Sequence, residues 1–154
     1  GMHNRDRMFY MERMGENEAA LTKDYPEMLR AAEEVTDRME EGIGAHRFRY
    51  IISGMLLPAL SKGAQKEALL AAQLRCARAA LAIERFRLKN GRLPEIVELV
   101  PEYLPEWPSD TVDGEPIEYE RLAKGYIVMS RGATELKNKG KKTNFTEVAF
   151  TVLR

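Results

Sequence analysis

Residues 90–109 read NGRLPEIVELVPEYLPEWPS, and this stretch decides how the chain folds. A helical pattern ends at Asn90-Gly91, and prolines follow at positions 94, 101, 105 and 108. Each proline removes a backbone donor, so most of the stretch is expected to be extended or turn-like. Large apolar residues fill the spaces between the prolines: Leu93, Ile96, Val97, Leu99, Val100, Leu104 and Trp107. We therefore expect this segment, named here the ribbon (residues 92–109), to bury apolar side chains rather than to act as a solvated linker.

The helix before the ribbon is predicted over Ser61 to Lys89. Its apolar positions recur at steps of three, four and seven residues, which is typical of one buried helix face. That face is expected to consist of Leu70, Leu74, Ala77, Leu81 and Leu88, widened by Leu69, Ala72, Cys76, Ala80 and Ile83. Gly91 supplies the left-handed position that ends a helix. Pro94 prevents the same helix from resuming, but it starts a short helix through Val100, with Ile96, Val97 and Val100 turned inward.

The N-terminal third is predicted to be helical. Residues 1–14 are expected to form an irregular N-terminal segment or a short helix. Residues 16–41 are expected to be helical, with apolar residues along one face. Pro26 marks a helix start inside that run, with Asp24 as its cap. Gly42 and Gly44 interrupt the pattern and are the best candidates for a hinge. A further helix is predicted from about Ala45 to Leu57, ending near Pro58.

The C-terminal part is predicted to be a small antiparallel sheet. Residues 116–122 alternate as a strand, residues 123–125 turn the chain, and residues 126–130 pair back as a hairpin. A lysine-rich loop follows (Lys137, Lys139, Lys141, Lys142). The last strand, 145–153, places Val148, Phe150 and Val152 on one face. The fold class is therefore α+β, with N-terminal helices and a long helix packed on a three-stranded sheet. Residues 1–60 form a helical extension of the α+β part, 61–154, and together they make one compact unit.

The composition excludes several functions. The 154 residues contain 44% hydrophobic and 31% charged residues, with 24 basic and 24 acidic side chains. This is globular composition, and the neutral balance gives no electrostatic reason to expect nucleic acid as a partner. No run of eighteen apolar residues exists, so no membrane span is predicted. The Gly1-Met2 start is typical of a cleaved tag, and a targeting segment is expected to lie outside this chain.

No set of residues in the sequence has the spacing of a catalytic or metal site. His3, His46 and Cys76 lack zinc-ligand spacing, and Cys76 is expected to be a small buried thiol. Ser53 and Ser130 lack the turn of a hydrolase nucleophile. The acidic side chains among residues 33–41 are expected to form the solvent-exposed face of a helix. Asp110 and Asp113 are candidates for a cation site, but an Asp-containing turn explains them without a ligand. We therefore expect no enzyme activity.

The order of elements from residue 64 to 132 resembles that of a pseudopilin, most closely the major pseudopilin of bacterial type II secretion. The segments that carry the resemblance are Ala80-Leu-Ala-Ile-Glu-Arg-Phe-Arg87, Asn90-Gly-Arg-Leu-Pro94, Leu99-Val100, Tyr103-Leu-Pro105, Pro108-Ser-Asp110, Gly114-Glu-Pro-Ile-Glu-Tyr119 and Gly125-Tyr-Ile-Val-Met-Ser130. The resemblance implies that the long helix is a spine, that the ribbon wraps back across it, and that Trp107 anchors the ribbon. It also implies a calcium site after the hairpin, but Ser130 is followed here by Arg-Gly-Ala-Thr-Glu and lysines, so we expect no cofactor.

The function that this resemblance implies is a non-catalytic, structural or protein-interaction module of a type II secretion or pilus-like apparatus. Its partners are then secretion components or further copies of the chain. It is expected to lie outside the cytoplasm, as the soluble part of a protein whose membrane anchor precedes this chain. The residues expected to carry structure and interaction are Leu74, Leu81, Gly91, Pro94, Trp107, Tyr119 and Tyr126. The alternative is a domain that binds or senses a small ligand in a pocket between the N-terminal helices and the long helix.

Overall fold

Helices fill the first part of the chain and a hairpin-based sheet fills the last part. The structure, a computed structural model, describes residues 2–44, 50–139 and 147–153, without the side chains of residues 2, 3, 52 and 56–61. The elements are α1 (Met2–Leu21), α2 (Glu27–Ile43), α3 (Ile51–Asn90), a 3-10 helix (Ile96–Glu98), β1 (Glu118–Leu122), β2 (Gly125–Ser130), α4 (Arg131–Asn138) and β3 (Val148–Leu153). The predicted α+β class is confirmed, with helices packed against a three-stranded antiparallel sheet.

The chain divides into two compact units, Gly1–Glu67 and Ala68–Arg154, and α3 contributes to each of them. In the first unit, apolar residues of α2 form two clusters with residues of α1 and the first part of α3. The buried members are Ala20, Met28, Ala32, Ala64, Val35 and Met39. A buried polar pair lies in the same unit, because the Ser53 hydroxyl donates to Asp6 Oδ1 at 2.5 Å.

The helix boundaries of the first unit differ from those predicted. The predicted helix over residues 16–41 is two helices, because the chain leaves the helical conformation between Leu21 and Glu27. A helix does begin after Pro26, but no side chain caps it; Asp24 instead accepts the Met28 amide through its backbone carbonyl at 2.9 Å. Gly42 lies inside α2 rather than at a hinge.

The predicted stop at Pro58 is wrong, because α3 begins at Ile51 and continues through this proline to Asn90. Residues 45–49 of the predicted helix lie outside the described residues. A proline inside a helix costs about 3 kcal/mol, because it removes one hydrogen bond and crowds the preceding turn. Leucine, alanine and lysine, which are strong helix formers, follow Pro58 closely and favour continuation.

The sheet of the second unit is an antiparallel meander in the order β1-β2-β3. Leu122 pairs with Gly125, so the hairpin closes through Ala123-Lys124 as predicted. The central strand of the sheet, β2, buries Tyr126 and Val128 against the later part of α3 and the ribbon. Of the last strand, Val148 is buried and Val152 half-buried, but Phe150 is exposed, contrary to the expectation of one shared apolar face.

The buried face of α3 is lined mainly by small residues. Of the predicted face, the widening residues Ala72, Cys76, Ala80 and Ile83 are buried as expected, but the leucines of its central row are not. The residues that pack in the main core of the second unit are Cys76, Ala79, Ala80, Ala82, Ile83 and Phe86. Leu70, Leu74, Leu81 and Leu88 are 57%, 58%, 64% and 74% exposed. The small side chains let the sheet and ribbon approach the helix backbone closely, which explains why that face is the covered one.

The ribbon folds back across α3, as the resemblance implied. Leu99 and Leu104 are buried in the same core as α3 and β2. The short helical turn is three residues long, and it is fixed by a reciprocal capping box between Glu95 and Glu98. Ile96 and Val97 point outward, which contradicts the prediction that they face the core; Leu99 takes that position instead.

A helix that the sequence analysis missed follows the hairpin directly. Helix α4 covers Lys137, which was expected in a solvated loop, whereas Lys141 and Lys142 lie outside the described residues. Ser130 caps this helix by accepting the Ala133 amide at 3.3 Å. Residues 145 and 146 of the predicted last strand also lie outside the described residues, and β3 begins at Val148.

Candidate interaction surface

The exposed side of α3 carries a row of leucines. Leu70, Leu74, Ala77, Leu81 and Leu88 are separated by steps of four, three, four and seven residues. We name this row the leucine seam. A repeat of alternating three- and four-residue steps is the pattern by which one helix packs lengthwise against another. All four leucines are exposed and Ala77 is half-buried, so the second unit leaves the seam uncovered.

Two arginines follow one side of the leucine seam. Arg78 lies four residues after Leu74, and Arg85 lies four residues after Leu81, so both occupy the same flank. Both are exposed. Neither belongs to an ion pair among the described residues. The Arg85 guanidinium carbon lies 5.7 Å from the centroid of the Tyr103 ring, which holds this side chain against the ribbon.

The same flank continues to the end of α3. Lys89 donates to Glu102 of the ribbon at 2.8 Å. This hydrogen bond, the Lys89 charge and, more weakly, the Arg85 charge lower the pKa of Glu102. The flank is thus basic, with one carboxylate already engaged.

The opposite flank has a different character. Gln73 is neutral and Ala80 is buried there, while Arg87 pairs with Glu84 at 3.0 Å. Glu84 takes the position of the repeat between Leu81 and Leu88. The two sides of the leucine seam therefore differ in charge, and only one presents unpaired cations among the described residues.

A small cleft opens beside the basic flank, between α3 and the ribbon. It has a volume of about 170 Å³ and is lined by Arg75, Arg78, Leu104, Pro105, Glu106, Pro108 and Ser109. Arg75 fixes one wall, because it donates to the Ser109 carbonyl at 2.8 Å and to its hydroxyl at 3.1 Å. This volume is below the range of roughly 300 to 1,000 Å³ that is usual for small-molecule sites.

Asp110 lies at the centre of a buried polar cluster behind the ribbon. One carboxylate oxygen accepts the Ser130 hydroxyl at 2.7 Å and the Gly132 amide at 2.8 Å, and the other accepts the Val112 amide at 2.9 Å. These donors come from the end of β2, the start of α4 and the turn after the ribbon. The cluster therefore joins the turn after the ribbon to the junction of β2 and α4, which is 20 residues further along the chain.

Asp110 and Asp113 have different surroundings, because the Asp110 side chain is buried and that of Asp113 is not. Asp113 is exposed, and its carboxylate accepts the Glu115 amide at 2.8 Å within the turn. In the part of the chain that the structure describes, no three acidic, histidine or cysteine side chains lie close enough to hold a metal ion together. His46 lies outside the described residues, as does the side chain of His3.

Cys76 is fully buried in the main core of the second unit. Its thiol faces the Val148 carbonyl at 3.9 Å. Burial, followed by the negative charge of Asp110, raises the pKa of the thiol to about 11. A thiol in this state stays protonated at neutral pH and is a poor nucleophile.

The seven residues expected to carry structure and interaction fall into two groups. Leu74 and Leu81 are exposed on the leucine seam, away from the other five. Gly91 ends α3 with a φ of 73°, and Pro94 is buried just beyond it. The three aromatic residues hold the ribbon and sheet through hydrogen bonds: Trp107 donates to the Ile117 carbonyl at 2.8 Å, Tyr119 to the Pro94 carbonyl at 3.3 Å and Tyr126 to the Ala80 carbonyl at 3.2 Å.

Sequence reasoning missed Arg78 and Arg85 as candidates. The signal that identifies them is their constant offset of four residues from the leucines at 74 and 81. That signal has meaning only once these leucines are known to be exposed, because a buried leucine face would make the same arginines an ordinary polar border.

Comparison with models of protein families, with curated proteins and with solved structures found no match to this chain. Among the described residues, no helix combines the length and the apolar character that crossing a membrane requires.

Proposed function

We propose that this chain is a non-catalytic, pseudopilin-like module that acts through protein contacts in a bacterial type II secretion or pilus-like apparatus. The observation that carries the proposal is the arrangement of the second unit. A long helix ends at Gly91, the ribbon returns across it, and an antiparallel hairpin buries Tyr126 on the same core. This arrangement has the order of elements on which the sequence resemblance rests.

The state of the nucleophilic side chains supports a role without catalysis. Cys76 is buried with a raised pKa, and the Ser130 hydroxyl is engaged by Asp110 and by the Ala133 amide. Both side chains stabilise the packing between α3, β2 and α4. The leucine seam supports a role in protein contacts, because a row of exposed leucines on a rigid helix is typical of an interaction site.

The proposal extends to location and partners. The module works outside the cytoplasm as the soluble part of a membrane-anchored protein, and its partners are secretion-apparatus components.

Calorimetric titration against purified soluble domains of type II secretion proteins tests the proposed function. We expect at least one domain to bind saturably with a defined stoichiometry, whereas an unrelated periplasmic binding protein gives no heat of binding. The absence of binding by the whole panel of domains contradicts the proposal.

The small-ligand alternative has one observation in its favour, the cleft beside Arg75 and Arg78. This cleft lies between α3 and the ribbon, and not between the N-terminal helices and the long helix, where the sequence placed the expected pocket. A carboxylate-bearing compound of a few atoms fits its size and charge. A thermal-shift screen of small carboxylic acids tests this alternative, because a ligand at one hundred times its Kd stabilises the folded state by about 2.7 kcal/mol. Stabilisation that is lost in an Arg78→Ala variant supports the cleft as a ligand site. If none of the compounds raises the melting temperature, the alternative is rejected.

A further inference from the structure

We propose that the leucine seam docks an acidic amphipathic helix of a partner protein, whose carboxylates bind Arg78 and Arg85. The inference deepens the proposed function, since it assigns the interaction to one surface and defines the chemistry of the partner. It rests on the role of the chain in protein contacts.

The shape of the surface selects a helix as the partner. From Leu70 to Leu88 the seam extends over eighteen residue-to-residue steps, which is roughly 27 Å at 1.5 Å per residue. The alternating steps of three and four residues match the spacing of apolar side chains on a second helix lying along the first. An extended strand has a two-residue period and does not match these steps.

The charges beside the seam select an acidic partner. Arg78 and Arg85 stand one heptad apart on the same flank, at the positions from which side chains reach across to a facing helix. Two carboxylates with the same separation on a partner helix pair with both arginines at once. Neither nearby ribbon acid forms an ion pair with these arginines among the described residues. Glu102 is bound by Lys89, and Glu106 lines the cleft together with Arg78 without an ion pair to it.

A second copy of the chain is a poorer occupant than an acidic helix. In a parallel pair of seams, the residues facing the arginines are Gln73, Ala80 and Arg87. In an antiparallel pair, Arg78 and Arg85 face arginines of the other copy. Neither arrangement supplies a carboxylate, and facing like charges are destabilising.

Fluorescence anisotropy with two designed peptides tests the inference on the full chain. Each labelled peptide has three heptads with leucine at the two apolar positions; one has glutamate and the other lysine at the flanking positions. We expect the glutamate peptide to bind saturably and the lysine peptide to bind at least roughly tenfold more weakly. Equal affinities, or no binding of the glutamate peptide, overturn the inference.

Two pairs of variants identify the surface. Leu74→Gln with Leu81→Gln is expected to weaken binding of the glutamate peptide roughly tenfold or more. Val97→Gln with Leu153→Gln, at more exposed positions off the seam, leaves this binding unchanged. Arg78→Glu with Arg85→Glu is expected to reverse the preference toward the lysine peptide. The control, Arg30→Glu with Lys124→Glu, makes the same change in net charge at residues that are not part of the seam. Thermal melts verify that each variant is folded, and equal effects of seam and control variants overturn the inference.

Three further outcomes separate this inference from its premise. A dimer detected by sedimentation that Leu74→Gln with Leu81→Gln disrupts shows a second copy on the seam and overturns the acidic-helix partner. Binding of a secretion domain with unchanged affinity in the seam variants also overturns it, but leaves the proposed function standing. If the glutamate peptide binds the seam and no secretion domain binds the chain, the proposed function fails and the docking surface remains.

Discussion

Gly91 and Gly125 both have positive φ values, of 73° and 115°, but their surroundings differ. A Cβ added to Gly91 meets nothing within 4 Å, whereas one added to Gly125 lies 1.7 Å from the Val152 carbonyl oxygen. We therefore expect Gly91→Ala to lower the free energy of unfolding by roughly 1 kcal/mol, through backbone strain alone. Gly125→Ala is expected to lower it by about 3 kcal/mol or more, because β3 must also move. Urea denaturation measures both, and equal losses contradict this prediction.

Asp110 is expected to be the most important buried polar residue of the second unit. An asparagine at this position keeps one oxygen but presents an amide group to donors, so at least one hydrogen bond to Ser130, Gly132 or Val112 is lost. We predict that Asp110→Asn lowers the free energy of unfolding by about 2 kcal/mol. Asp113→Asn is the control, because its exposed carboxylate accepts one amide in the turn and the asparagine oxygen replaces it. Comparable losses for the two variants in urea denaturation contradict the assignment.

The Cys76 thiol is expected to be inert in the folded protein. Burial and, secondarily, Asp110 raise its pKa to about 11, so the neutral thiol is the form that folding favours. Its contribution to stability is then complete below the ordinary value of 9.0 and declines as the pH rises toward 11. We expect a disulfide reagent at pH 8 to label Cys76 only as fast as the protein opens, and completely in denaturant. Rapid labelling of the native protein contradicts this prediction.

At the scale of elements, residues close together in one short turn of the ribbon differ sharply in burial. Leu99 is fully buried, and Val97, two residues earlier, is 78% exposed. We predict that Leu99→Ala lowers the free energy of unfolding by about 3 kcal/mol, since it empties a core position shared by α3 and β2. Val97→Ala is the matched control and is expected to change stability by less than about 0.5 kcal/mol. Chemical denaturation measures both losses of stability. A larger loss for Val97→Ala than for Leu99→Ala contradicts this prediction and indicates that Val97 faces the core, as the sequence pattern predicted.

At the scale of the whole molecule, the second unit depends on one core to which helix, ribbon and sheet all contribute. Trp107, the only tryptophan of the chain, reports on the ribbon, because it lies near the end of the ribbon and packs on this core. We predict that Val128→Ala, a change in the sheet, lowers the free energy of unfolding by about 2 kcal/mol. The midpoint of the unfolding transition that Trp107 fluorescence reports is then lowered as well. Phe150→Ala, at an exposed position of β3, is the control and is expected to have a smaller effect. If Val128→Ala leaves the Trp107 transition unchanged, the ribbon unfolds independently of the sheet and the prediction is wrong.

Several features of the molecule follow from local chemistry and were predictable. The end of α3 follows from Gly91, which tolerates a positive φ, and from Pro94, which has no amide to donate. The hairpin follows from alternating apolar residues around a short turn, since Leu122 pairs with Gly125. Helix α4 was missed because its support is not local. The Ser130 hydroxyl that caps it is held by Asp110, twenty residues earlier in the chain, and the lysines beyond it favour a loop.

The sequence by itself determined the α+β class and the burial of apolar residues in the ribbon, because proline, glycine and alternation act over a few neighbouring residues. Only the tertiary structure decided that the leucine row of α3 stays exposed. Leucines lie on one side of this helix and small residues on another, so its sequence offers two apolar faces. The sheet and ribbon cover the small-residue face because it permits closer packing, and the leucine seam with Arg78 and Arg85 is left outside.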